Sequence, residues 1–343
     1  MKALVIHGPH DLRVDEVAEA SPGPRQVAVR VRAGGICGSD LHYYHQGGFG
    51  TVRLREPMVL GHEVAGEVAE VGREVTSLRP GDRVAVSPSL PCGACRYCLA
   101  GAPNHCLDMR FYGSAMRFPH VQGAFREVLV CEEAQAVRVP DGVPLERAAF
   151  AEPLAVCLHA ARQAGPLMGA RVLVTGTGPI GALALLVARH AGAREVVCTD
   201  VSDAPLALAR RLGADAALNT RSDPAALEPW CAEKGTFDAV FEASGSGAAL
   251  AGALAAARPG ATVVQLGLGG EVPLPVNVLV AKEITLRGTF RFHEEFRWAV
   301  EALASGRIDV APLLTEVVPL ADARRAFDLA SDRSRAMKVQ LAF

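Results

Sequence analysis

Residues 171–200 read RVLVTGTGPIGALALLVARHAGAREVVCTD: an apolar run, a glycine turn, an Ala/Leu-rich helical stretch and a second apolar run that ends at Asp200. Strand, helix and strand in that order are the repeating unit of a parallel sheet. Gly176, Gly178 and Gly181 form G-T-G-P-I-G at the first strand-to-helix turn, with Pro179 and Ile180 between the last two glycines. The first glycine makes the turn, and the second lets the backbone approach a pyrophosphate. The third lets helix and strand pack closely, while the helix N-terminus offers N–H groups to the phosphates. Asp200 follows Gly176 by 24 positions, where a carboxylate can accept hydrogen bonds from an adenosine ribose. Together these residues predict a dinucleotide site. A carboxylate there repels the 2′-phosphate of NADP, and the next residues, VSDAPLA, contain no Arg or Lys; the first cation is Arg210. NAD is the expected cofactor unless a distant loop supplies a positive charge.

The same texture continues on the C-terminal side. ADAALNT (214–220), FDAVFEASG (237–245), ATVVQLG (261–267) and ITLRGTF (284–290) read as further strands between helical crossovers. Six such segments predict a doubly wound parallel sheet. Upstream the pattern differs. VAVRVRAGGI, HEVAGEVAEV, DRVAVSPS and AFREVLVCEE are short Val-bearing runs broken by Gly and Pro, the signature of a β-rich domain. The expected division is a β-rich domain over residues 1–153, a nucleotide domain over 154–290, and a last segment, 291–343, that returns to the first. That last segment predicts helices over 294–304 and 322–331 and a closing strand KVQLAF. The fold class is α/β with a β-rich companion domain.

Cys92, Cys95, Cys98 and Cys106 lie in PCGACRYCLAGAPNHC with gaps of two, two and seven residues. Four thiolates on one short loop, about 90–108, suit a tetrahedral zinc and fill its coordination sphere, so this site is read as structural. Two disulfides are the competing reading, disfavoured because such clusters belong to small secreted chains. A second metal site is expected from Cys37 in GGICGSD, His62 and Glu63 in VLGHEV, and Glu152 in AFAEPLA. One thiolate, one imidazole and one carboxylate leave a position open, as a catalytic zinc requires. Glu152 is a carboxylate in an apolar run, costly to bury without a partner. Whether it or Glu63 binds the metal directly is left open by the sequence. Asp40 is expected to orient His62 or else to cap a turn.

The chain has 343 residues, half of them apolar, 21% charged, and a formal net charge of -2. These values suit two sizeable cores and give no electrostatic case for nucleic acid or an anionic membrane. No apolar run approaches a membrane span, and the scattered cysteines suit the cytoplasm.

With the GHE box, the four-cysteine lobe, the GxGxxG turn and the strand-end acid in this order, the chain resembles the zinc-dependent medium-chain dehydrogenases over essentially its whole length. GGICGSDLHYY and Phe290-Arg291-Phe292 are similar to their polyol branch. DMRFYGSAMRFPH, FAEPLAVCLHAA and GTFRF are similar to members that act on a sugar acid. The resemblance implies a GroES-like first domain, two zinc ions per subunit and a homodimer or homotetramer. It also implies reversible hydride transfer between NAD and a secondary alcohol of a sugar acid, with a neutral polyol as the alternative. Ser39 would then pass the alcohol proton through the nicotinamide ribose to His42, with His45 as fallback. Tyr43, Glu152, Arg291 and Phe292 would bind substrate, and Arg110 and Arg117 are further candidates for its carboxylate. Leu266, Gly267, Leu268 and Thr289 would complete the cofactor site. Polyol-branch relatives tend to carry an Arg shortly after the strand-end acid, where this chain has Ala204 and Pro205, a departure that favours NAD further.

Overall fold

The computed structural model describes all residues, Met1–Phe343. Gln26–Gly35 is the spine of the first domain. Glu63–Val71 pairs antiparallel along one edge of it, and Val128–Glu132 and Lys338–Ala342 share the other. Arg83–Val86 and Ala136–Arg138 extend the sheet on the Glu63–Val71 side; Leu314–Pro319 extends it beyond Lys338–Ala342. Alternation sorts the two faces. Val29, Val31, Val64, Val68, Val84 and Val86 enter one core with Phe125 and Phe327, whereas Ala33, Ala65 and Ala85 present small side chains to a second. Helix Ala151–Ala164 belongs to that second core, which continues through the nucleotide domain to Phe292 and Phe296.

The nucleotide domain is a six-stranded, all-parallel sheet. Its spatial order is Ala216–Asn219, Glu195–Asp200, Arg171–Thr175, Phe237–Glu242, Ala257–Gln265, Thr285–Gly288. Strand order reverses between Arg171–Thr175 and Phe237–Glu242, the crevice in which such sheets bind ligands. A doubly wound sheet is thus what the chain forms. The fifth strand begins at Ala257, four residues before the expected 261. A register irregularity between Phe237 and Ala239 lets the Arg258-Pro259-Gly260 segment bulge within it. Leu314–Pro319 is a strand that the sequence pattern did not predict; its exposed alternate residues hide it from a search for continuous apolar runs. The C-terminal helices are Glu295–Ala304 and Ala323–Ser331.

Helices Ala151–Ala164 and Glu295–Ala304 are fastened by a buried carboxylate. Glu295 is fully buried and accepts from His159 at 2.9 Å, Arg162 at 2.7 Å and the His293 N–H at 2.8 Å. Burial works against its ionisation, but these bonds outweigh it and hold the carboxyl at about 2, below its ordinary 4.5. A depressed pKa means that the stabilisation is complete above the unfolded value and fades as pH falls from about 4.5 towards 2. Glu295→Gln is therefore expected to lose about 2–3 kcal/mol at neutral pH. Denaturant midpoints measured at pH 7 and pH 3 should show the gap between variant and parent narrowing on acidification.

Candidate active site

Strand pairing explains how the metal candidates meet. In the antiparallel register Gly35 faces Glu63. Cys37 therefore leaves one strand two residues beyond the point where His62 and Glu63 enter the other. Cys37 also caps helix Gly38–Gln46. A sulfur of Cys37, a nitrogen of His62 and a carboxylate oxygen of Glu63 all lie within 4.8 Å of one another. Glu152, buried in the first turn of helix Ala151–Ala164, is outside that set but electrostatically joined to it. Burial raises its carboxyl to about 8, His62 opposing and the charges of Glu63 and Cys37 adding to the rise. Burial and then Glu63 push the Cys37 thiol up to about 11.

Lys338 is the residue that sequence reasoning missed. Its ammonium is 4% exposed and lies 2.7 Å from Glu63 Oε1. In sequence it looks like an ordinary cation in a closing strand, and its only signal is the apolar run around it. Gly35 makes the room: a Cβ there would stand 2.1 Å from Glu63 Oε2 and 3.0 Å from Lys338 Cε. Asp40 accepts from the Cys37 N–H at 2.9 Å and the Gly61 N–H at 3.3 Å, and so fixes both metal-bearing turns. Its separation from His62 Nδ1, 3.9 Å, is too long for a hydrogen bond, so its action on His62 is not the direct orienting bond expected.

The donor sets fit zinc. His62 Nδ1 is buried with no hydrogen-bond partner, and a thiol, an imidazole and two carboxylates face one another with Lys338 as the cation set among them. A further cation relieves that excess of acceptors. In the lobe, Cys92, Cys95, Cys98 and Cys106 also cluster within 4.8 Å, with Cys95 Sγ 3.6 Å from Cys98 Sγ and 4.0 Å from Cys106 Sγ. A tetrahedron with bonds of about 2.3 Å has edges of about 3.8 Å, so these sulfurs stand at zinc spacing. Backbone N–H groups of Cys92, Leu107 and Asp108 point at the sulfurs, as suits thiolates.

The lobe also touches the Phe290-Arg291-Phe292 segment. Asn104 Nδ2 donates to the Phe290 carbonyl at 3.1 Å, and His105 stacks on Phe290 at 6.1 Å. Arg291 follows in a left-handed conformation (φ 55°), its guanidinium 4.2 Å over the Phe111 ring and 3.3 Å from Met116 Sδ. Burial lowers it to about 10 while Glu152 and then Tyr43 hold it up, and it has no ion-pair partner. Phe111 in turn lies 5.6 Å from the His62 ring, a lining residue that its place in an irregular loop concealed. Tyr43 is buried, its hydroxyl accepting from the Ala115 N–H at 3.0 Å.

Three expected substrate contacts stand elsewhere. Phe292 is 1% exposed and stacks on Phe296 at 5.7 Å, turned into the core just after the left-handed backbone of Arg291 (φ 55°). Arg117 is spent on Asp108 at 2.7 Å. Arg110 opens onto a separate cleft with Tyr112 and Arg126, one residue out of phase with Phe111.

The nucleotide turn has the stereochemistry its glycines suggest. Gly176 has φ 78° and lies against Ser244; a Cβ on Gly181 would meet the Gly176 carbonyl at 1.9 Å. At Gly178 a Cβ would meet nothing within 4 Å, leaving that side free for a ligand. Pro179 opens helix Pro179–His190, and Ile180 follows it. Asp200 accepts from the N–H groups of Thr177 at 2.8 Å, Val201 at 2.7 Å and Ser202 at 3.0 Å. Gly267 packs against Gly245, Leu266 adjoins it half-buried, and Leu268 is exposed. Thr289 Oγ1 is buried without a partner. Ser39 and His42 are partly exposed on helix Gly38–Gln46, whereas His45 is tied to Ser331 at 2.7 Å.

A GroES-like sheet, a doubly wound nucleotide domain and two cysteine-bearing clusters define a zinc- and nicotinamide-using dehydrogenase. Residues 23–141 match the alcohol dehydrogenase GroES-like domain and residues 179–305 the zinc-binding dehydrogenase domain. The chain belongs to the zinc-binding dehydrogenase family, enzymes that use NAD(P). It is 46% identical over 316 residues to L-idonate 5-dehydrogenase (NAD(P)(+)) of Escherichia coli strain K12, covering 92% of this chain and 91% of the relative. The crystal structure of L-idonate 5-dehydrogenase from Escherichia coli K-12 matches with a TM-score of 0.95 and 43% identity, over 100% of this chain and 98% of that one. Sorbitol dehydrogenase of Macaca fascicularis is 37% identical over 337 residues, 95% of this chain and 91% of the relative.

Proposed function

We propose that this chain moves a hydride reversibly between NAD and the C5 hydroxyl of L-idonate, giving 5-keto-D-gluconate. Arg291 carries the reading. It is a largely buried guanidinium without an acidic partner, beside Tyr43, Glu152 and the Phe111 ring that adjoins His62. A sugar acid supplies the missing carboxylate, whereas a neutral polyol supplies none. The 46% identity to an L-idonate 5-dehydrogenase supports the same choice.

Cys37, His62 and Glu63 would hold the catalytic zinc, and the cysteine lobe the structural one. A zinc held there supplies Lewis acidity that lets a bound alcohol ionise near neutral pH. Glu152, standing off from the cluster, serves substrate hydroxyls together with Tyr43, and Arg291 fixes the carboxylate end. His42 is held below its ordinary range by burial and then by Arg333, so it is neutral at pH 7 and able to accept the proton passed on from Ser39. Gly176, Gly178 and Gly181 seat the pyrophosphate, Asp200 the adenosine ribose, and Leu266 to Leu268 with Thr289 the nicotinamide end. Asp200 favours NAD over NADP. The exposed edge strand Thr285–Gly288, with Val276 and Val280 exposed nearby, suits a homodimer or a tetramer built from it. No helix is long and apolar enough to cross a membrane, and all nine cysteines are free, which suits the cytoplasm.

The test is a panel of L-idonate, sorbitol and xylitol with NAD and NADP, read by absorbance of the reduced cofactor. L-Idonate should exceed both polyols at least tenfold in kcat/KM; preference for a polyol would replace the aldonate reading. Arg291→Ala should raise KM for L-idonate about 10- to 100-fold, the worth of one charge-assisted hydrogen bond, with a smaller change in kcat. Ser39→Ala and His42→Ala should each lower kcat about 10²-fold at pH 7 and recover part of it at higher pH, seen in stopped-assay pH profiles. Unchanged profiles would remove the relay.

A further inference from the structure

The backbone that carries Arg291 is pinned from the other domain. Backbone hydrogen bonds run up to Thr289, which donates to the Gln265 carbonyl at 3.3 Å, and resume at His293, which donates to Glu295 Oε2 at 2.8 Å. Between them the segment has one such bond, from Asn104 Nδ2 to the Phe290 carbonyl at 3.1 Å, joining residues 186 positions apart. Asn104 is itself buried, in the single helical turn Pro103–His105 that runs into Cys106 of the cysteine lobe. A second contact reaches the same residue. The His105 ring stacks on Phe290 with an interplanar angle of 22°, and the Arg291 guanidinium lies 4.8 Å over the ring of Phe290.

The Phe290 carbonyl and the Arg291 N–H share one peptide plane, and φ of Arg291 is the rotation measured from that plane. A residue with a Cβ keeps a left-handed φ, here 55°, only where its surroundings over-determine it. Holding the plane from outside therefore selects the direction in which the side chain departs, towards the Phe111 ring at 4.2 Å and Met116 Sδ at 3.3 Å. We propose that Asn104, backed by the stack of His105 on Phe290, is a positioning residue that aims Arg291 and so sets the preference for an anionic sugar acid over a neutral polyol. The cysteine lobe then does more than hold itself together: it reaches across the domain boundary to tune substrate choice. Without the bond the Phe290 peptide is free to rotate, φ of Arg291 relaxes to negative values, and the guanidinium leaves its place over Phe111.

This inference rests on the reading of Arg291 as the group that binds the substrate carboxylate. It is tested by measuring kcat and KM for L-idonate and sorbitol in the parent, Asn104→Ala, Asn104→Asp, Arg291→Ala and Asn104→Ala/Arg291→Ala, with melting temperature and zinc content beside them. Aspartate has nearly the shape of asparagine but an ionised carboxylate offers no N–H to the carbonyl, so it separates the hydrogen bond from packing. Both single Asn104 variants should raise KM for L-idonate about three- to tenfold, the worth of one hydrogen bond, with kcat for L-idonate and kcat/KM for sorbitol within about twofold of the parent. In the double variant the loss on L-idonate should not exceed that of Arg291→Ala alone, because a residue acting through Arg291 has nothing to act on once it is gone. Additive losses, or equal losses on L-idonate and sorbitol, overturn the proposal and leave Asn104 as a structural tie of the lobe. A parent-like KM in Asn104→Asp, or a lowered melting temperature with unchanged selectivity, overturns it as well. If Arg291→Ala itself leaves KM for L-idonate unchanged, the aldonate reading fails and this inference with it.

Discussion

His62→Ala is expected to lower kcat by about 10³-fold or more and to release one zinc equivalent per subunit while the other stays bound. The reasoning begins at the strand pair. His62 is buried against Phe111, its Nδ1 has no protein partner, and its ring shares a space 4.8 Å across with Cys37 and Glu63. Alanine removes one of the three donors and leaves the Glu63 carboxylate beside a thiol that burial and then Glu63 drive towards its protonated form. Metal binding requires those groups deprotonated, so the loss of one donor weakens the hold of the others. Several kcal/mol of Lewis-acid stabilisation vanish with the ion, and each 1.36 kcal/mol is a factor of ten in rate. Elemental analysis beside steady-state kinetics checks this. Cys98→Ser is the complement: it should lose the other equivalent and lower the melting temperature, because the four sulfurs hold the lobe. A His62→Ala enzyme with two equivalents and near-parent turnover refutes the assignment of the open cluster.

Local sequence was informative wherever the chemistry is local. The four cysteines are legible because the loop between them is too short to place the sulfurs far apart. The glycine turn is legible because three glycines and a proline meet separate steric demands, each visible at Gly176, Gly178 and Gly181. The inner apolar runs gave the parallel sheet because strands buried on both faces read as continuous runs, whereas the edge strand Thr285–Gly288 is exposed throughout. Legibility fails where contacts join distant segments. Lys338 meets Glu63 across 275 positions, and only the apolar run around Lys338 hints that it is buried. Phe292 reads as a cleft residue beside Arg291, but the left-handed turn at Arg291 sends it into the core, while Phe111, unremarkable in its loop, lines the site.

Lys338→Met should destabilise the chelated protein by about 3–5 kcal/mol and the zinc-loaded protein by clearly less. Glu63 is 1% exposed and Lys338 4%, and the ammonium bonds Glu63 Oε1 at 2.7 Å. Burial acts to lower the Lys338 pKa, yet Glu63 and then Cys37 raise it above its ordinary value, so the lysine is charged. Removing one partner of a buried ion pair leaves the other uncompensated, which costs about 3–5 kcal/mol. Methionine keeps the length of the side chain, so the loss reports charge more than volume. Zinc at Cys37, His62 and Glu63 restores part of the missing positive charge, hence the smaller loss in the loaded state. The lysine's field also favours the ionised forms of Cys37 and Glu152. Without it those groups hold protons to higher pH, so zinc should dissociate, and turnover fall, at a higher pH than in the parent. Denaturant unfolding with and without chelator, followed by zinc retention between pH 5 and pH 8, separates these effects. Equal losses with and without zinc would mean that Lys338 acts through packing alone. A chelated variant within 1 kcal/mol of the parent would mean that Glu63 is carried as the neutral acid and that the pair contributes no charge to the site.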